Sequence, residues 1–166
     1  MALVNRLDLQ IALTNSPTLA APESGGPGEA IRFFRTFTQG LNPGQIRQCF
    51  FDERSLVASA TEDLDLSGTL KEADNLTNVA LTRLRVLGVL NEGPGTLSIF
   101  RPAAATGVPL FLAVSDGITL PPGGIFLWCA GPTADGVTVT AATGDLISIL
   151  ETAALPVTYL VMIAGI

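Results

Sequence analysis

The chain has 166 residues, a net charge of −6 and no histidine. Apolar residues make up 48% of it and charged residues 14%, against roughly a quarter charged in an ordinary soluble domain. That length suits one domain with a core that needs neither disulfides nor metal, and so little charge implies apolar surface that meets another chain.

The basic residues are eight arginines and one lysine, Lys71, with no basic run. A nucleic-acid footprint is therefore not expected, whereas arginine suits pairing inside protein interfaces. Cys49 and Cys129 lie far apart with no CxxC pair, which argues against a disulfide framework or a zinc site. Both sit in apolar, strand-like sequence and are expected to be buried free thiols. The first residues lack the charged and long apolar regions of a signal peptide. The longest apolar run, 155–166, is broken by Pro156, Thr158 and Gly165 and is too short for a membrane span. The expectation is a protein made in the cytoplasm with no membrane partner.

In chain order, residues 7–13 alternate apolar and polar as a half-buried strand does. Residues 15–28 carry three prolines and three glycines and predict a loop or arm over about 15–30. Residues 31–38 are aromatic and β-branched and predict a strand. A turn follows at 41–44. Residues 47–59 predict a strand that changes course at Asp52–Glu53, and 62–67 alternate again. Residues 78–90 suit helix or strand periodicity, and their β-branched content together with Gly88 decides for strand. Short strands are then expected at 96–100, 109–114, 125–130, 137–140, 146–150 and 157–163, separated by Gly, Pro and Asp turns. This spacing predicts a single all-β domain over 1–166, an antiparallel β-sandwich.

Candidate chemistry is sparse. Without histidine there is no Ser-His-Asp or Cys-His pair, so no catalytic residue is assigned and the chain is not expected to be an enzyme. A two-carboxylate glycosidase site is formally possible but unsupported by the acid spacing. Asp63 and Asp65, two apart on a strand, share a face and either bind a hard cation or form a solvated surface; the second reading is preferred, because cation sites want more oxygens. No metal or cofactor is assigned. The glycine clusters at 25–28 and 121–124 match neither phosphate-binding pattern. Trp128 and the phenylalanines at 33, 34, 37, 50 and 51 read as core or interface, with few basic neighbours for nucleic-acid stacking. Asp52 and Arg54 form a pair suited to fixing a strand corner.

Two stretches resemble a known family. The first is Phe51-Asp52-Glu53-Arg54-Ser55-Leu56-Val57-Ala58-Ser59-Ala60-Thr61-Glu62-Asp63-Leu64-Asp65-Leu66-Ser67-Gly68. The second runs from Leu120-Pro121-Pro122-Gly123-Gly124 through Val137-Thr138-Val139 and Thr143-Gly144-Asp145 to Val157-Thr158-Tyr159 and the terminal apolar strand. Together they resemble small structural proteins of tailed-bacteriophage virions, some of which are capsid cement or decoration subunits with a jelly-roll-like fold. The chain departs from that pattern at Phe51, where Trp or His is expected, and in its more apolar 84–90 strand. The resemblance implies a virion protein on the capsid surface that binds the major capsid protein, as a homotrimer and without cofactor. The alternative is a receptor- or carbohydrate-binding module of a tail fibre or baseplate. The apolar strands 84–90 and 157–163 either form the shared surface or fill a monomer core. Arg83, Arg85, Arg54 and Asp52 are the candidate interface residues.

Overall fold

The computed structural model describes residues 7–14, 30–71, 77–102 and 106–166, with side chains from Arg35 onward. The expected 15–30 loop or arm falls, apart from Ala30, outside the described residues. Twelve strands are present among the described residues and no helix.

The body is built from eight principal strands and the short β10. These are β4 (Gln48–Leu56), β5 (Thr61–Asp65), β6 (Arg83–Asn91), β7 (Leu97–Phe100), β8 (Gly117–Leu120), β9 (Ile125–Cys129), β10 (Val137–Thr138), β11 (Leu146–Glu151) and β12 (Val157–Gly165). One sheet runs β4–β12–β6, with β9 and β10 following one another along the far edge of β6. The other runs β5–β11–β7–β8. The pairings within both are antiparallel. Leaving β10 aside, the orders are first-eighth-third-sixth facing second-seventh-fourth-fifth. Successive strands cross between sheets except at the β7–β8 hairpin. This is the winding of a jelly roll, which hides most of its strand edges by folding two sheets together.

Alternation decides what lies between the sheets. Phe50 and Leu56 of β4, Leu87 and Val89 of β6, and Val157, Tyr159, Val161 and Ile163 of β12 meet Leu64, Leu97, Ile99, Leu120, Ile147 and Ile149 of the other sheet. The outer face of that other sheet is mixed: Thr61, Asp63, Asp65, Ser98, Thr119 and Ser148 share it with Leu146, Leu150 and Phe100, as the register requires.

Ahead of the body lies a smaller sheet of β1 (Leu7–Thr14), β2 (Ala30–Gln39) and β3 (Gln45–Ile46). β1 and β2 pair antiparallel over eight residues from Leu7↔Phe37 to Thr14↔Ala30. Phe37 and Ile46 anchor this sheet by packing on Val86 and Ala164 of the body.

Several sequence expectations need correction. Residues 109–114 form turns, not a strand: Asp116 accepts from the Ala113 N–H at 2.9 Å and Ser115 donates to Arg101 O, so the side chain of Asp116 closes the turn. The strand comes after it, as β8. β4 does not change course at Asp52–Glu53, since its register with β12 runs unbroken from Leu56 to Gln48. The chain turns at 57–60 instead, with Ser59 at a positive φ of 60°. The strand expected over 78–90 begins at Arg83; before it, Val79 and Leu81 donate to Leu70 O and Leu66 O as the chain crosses between sheets.

Candidate interaction surface

The outer face of the larger sheet is apolar where an exposed face would alternate to polar. Register aligns its side chains in three rungs. Cys129, Val86, Ala164 and Cys49 form the first, and Leu127, Gly88, Met162 and Phe51 the second. Ile125, Leu90, Leu160 and Glu53 form the third. Val86 and Ala164 of the first rung are covered by Phe37 and Ile46, and Leu127 and Met162 of the second pack half-buried against the same group. The face opens at its two edges beyond them, with Phe51 60% and Ile125 70% exposed. Gly88 leaves a shallow dip between Met162 and Leu127, where a Cβ would sit 3.2 Å from Met162 Cε. The two cysteines fall on this face, Cys49 half-buried and Cys129 exposed; the expectation of two buried thiols is corrected, because strand parity turns both away from the core.

The small sheet brings a second apolar face. Its register places Leu7, Leu9, Ile11 and Leu13 on the same side as Ile31, Phe33, Arg35 and Phe37. The Arg35 guanidinium lies 4.9 Å from the centre of the Phe37 ring, a favourable cation–ring contact.

The four arginine and aspartate candidates separate into different roles. Asp52 and Arg54 lie on the inner face of edge strand β4, and Glu62 on the inner face of edge strand β5. Arg54 Nη1 donates to Asp52 Oδ2 at 3.0 Å and Nη2 donates to Glu62 Oε1. The buried Tyr159 hydroxyl donates to Glu62 Oε2 at 2.6 Å. The group closes the open side of the sandwich by tying one sheet edge to the other. Burial alone would push the Glu62 carboxyl up; hydrogen bonds from Arg54 and Tyr159, with the guanidinium charge, outweigh it and hold the carboxyl below its ordinary value. Tyr159 moves the opposite way, raised by burial and by its bond to the carboxylate.

Arg85 is not a surface group. The register of β6 on β12 skips it, since Ala164 faces Val86 and Gly165 faces Leu84. Bulges re-aim side chains, and this one turns Arg85 into a fully buried position. There it donates to the carbonyls of Leu41, Asn42, Gln45 and Asp135. Its expected role in pairing across an interface is corrected: its donors are engaged inside its own chain. Arg83 is half-buried and donates to Thr138 Oγ1.

Asp63 and Asp65 sit on the outer face of the other sheet. Asp63 accepts from the Ser148 hydroxyl and Asp65 from Ser67. Among the described residues no group of three or more Cys, Asp or Glu is placed to hold a metal ion. Scans against family models, curated proteins and solved structures found no match.

A further carboxylate sets the acid response. Buried Glu151 accepts from the backbone N–H groups of Ser59, at 2.7 Å, and of Ala153. The bond from Ser59, with those from Ala153, Leu155 and Ala154, outweighs burial and holds its carboxyl below the ordinary value. Glu62 and Glu151 therefore bind protons less readily folded than unfolded. Their contribution to stability is complete above the ordinary carboxylate value and is lost as pH falls through the depressed folded values. Thermal melts across a pH series are expected to be flat from neutrality to about pH 5 and to fall below about pH 4. A midpoint that rises below about pH 4 would contradict this assignment.

Proposed function

We propose that this chain is a structural protein of a bacteriophage virion, a capsid cement or decoration subunit. In this reading it binds and stabilises the major capsid protein shell, at the capsid surface and as a homotrimer. The observation that carries the reading is a jelly roll whose larger sheet has an apolar outer face that is left open at Phe51 and Ile125. A chain with that face is completed by other chains. Its 14% charged residues support the same reading. So does the fold, by analogy alone, because jelly rolls recur in viral capsid domains. The family resemblance of the 51–68 and 120–159 stretches points the same way.

The test is co-sedimentation of the purified protein with capsid shells that lack it, followed by heating of the decorated shells. Saturable binding and a higher shell disruption temperature are expected. Absence of binding to shells, with binding to isolated tails or host-cell surface glycans, would replace this reading with the fibre or baseplate module.

A further inference from the structure

We infer that the open part of the larger sheet's outer face receives the β1–β2 hairpin of a second copy of this chain. The inference adds a mode of self-association to the reading above, and it stands on the isolated protein whether or not the chain decorates a shell.

Three observations lead to it. First, the hairpin needs cover: a two-stranded ribbon is marginally stable in water at best, and one side of this one carries Leu7, Leu9, Ile11, Leu13, Ile31 and Phe33. Second, the kind of contact required is already made within the chain. Phe37, on that same side of the hairpin, packs with Ile46 on Val86 and Ala164, the first rung of the outer face. The face continues from there into Leu127, Met162 and Phe51, then Ile125, Leu90 and Leu160. Leu127 and Met162 still pack half-buried against the Phe37 and Ile46 group, but beyond them Phe51 and Ile125 remain largely exposed. One chain thus carries both a hairpin arm with an apolar side and a floor that stays open beyond that hairpin's Phe37.

Third, the charges are complementary. The apolar side of the hairpin also carries Arg35 and no acidic residue, whereas from Gly40 onward the chain has six basic and twelve acidic residues. Glu53 stands exposed on the third rung beside Leu160 and offers a carboxylate to an incoming arginine. Arm-on-floor is a heterologous contact, and repeated around an axis it closes a ring; three copies would make the trimer proposed above.

The experiment is sedimentation equilibrium of the full chain and two variants. Phe51→Ser with Ile125→Ser roughens the floor at exposed positions, and Ile11→Ser with Phe33→Ser does the same to the arm. Wild type is expected well above the 17.2 kDa chain mass, and each variant near it. An equimolar mixture is expected to recover a species of two chains, because each variant keeps the half that the other lacks. Cooperative melting of both variants shows that the body still folds; if one fails to melt cooperatively, Leu160→Thr for the floor or Leu9→Thr for the arm takes its place. A monomeric wild type, undiminished association of either variant, or no recovery on mixing would overturn the proposal. Failure of shell binding with this pattern intact would count against the cement reading alone.

Discussion

Arg85→Met is expected to lower the stability of the folded chain by about 3 kcal/mol, the scale of lost charged hydrogen bonds in a buried setting. Methionine retains much of the aliphatic stem, so packing within the bulge is largely kept. What disappears is every guanidinium donor to the carbonyls of Leu41, Asn42, Gln45 and Asp135. Loss of a buried charge refunds part of the desolvation cost, and burial does lower the pKa of this guanidinium, but all four carbonyls lose a charged donor, with Asn42 O keeping the bond from the Gln45 amide. The consequence is also local. The turn between β2 and β3 is held to the body by these bonds and by Phe37 and Ile46. Hydrogen exchange at the Gly40 and Gln45 amides, which donate to Ile46 O and Asn42 O, should quicken more than exchange in β11. A melting midpoint within a degree or so of wild type, set against the 2–4 °C per kcal/mol typical of this chain length, would contradict the buried role of Arg85.

The second large effect is expected at the sheet-edge cluster. Arg54→Met should cost about 2 kcal/mol, less than the loss of one partner from a fully buried pair, because 29% of the Arg54 side chain is open to water. The variant leaves the Glu62 carboxylate with the Tyr159 hydroxyl as its remaining partner of the cluster. Adding Glu62→Gln removes the unpaired charge, so the double variant should be more stable than the two single losses predict, with a coupling of about 1 kcal/mol or more. The acid-induced fall in melting midpoint should also be shallower in Arg54→Met, since the guanidinium is one of the groups holding Glu62 below its ordinary value. Additive single effects would show that the bridge between β4 and β5 contributes nothing measurable.

Much of the fold was legible because alternation and turn chemistry agree. β1, β2, β7, β9, β11 and β12 fall close to where apolar periodicity and Gly, Pro and Asp turns put them. β8 escaped because Gly117–Leu120 is four residues long and mostly exposed, so its sequence has no buried stripe to read. The apolar stretch at 109–114 misled for the opposite reason: its hydrophobic residues lie in turns that Asp116 closes.

The candidate surface was partly legible. β9, β12 and the 86–90 part of β6 are apolar or glycine at nearly every position, which in a strand means cover on both faces. That signal supports both alternatives set out for strands 84–90 and 157–163: one parity fills the core, and the other forms the open face. The role of Arg85 could not be read, because a bulge is a property of register between strands far apart in sequence. The same holds for Arg54, whose pairing with Asp52 is local but whose bonds to the cluster of Glu62 and Tyr159 depend on two sheets meeting. Tyr159 is the single tyrosine of the chain, and its isolation in an apolar strand was the one available hint that a buried hydroxyl needed a partner.

The measurement that bears most directly on the account is a cryo-electron microscopy map of the intact particle. The account predicts jelly-roll density on the outside of the capsid shell, grouped in threes, with the open face around Phe51 and Ile125 buried beneath the hairpin of a neighbouring copy. Density for the chain in the tail, or isolated copies on the shell with that face turned to solvent, would contradict it.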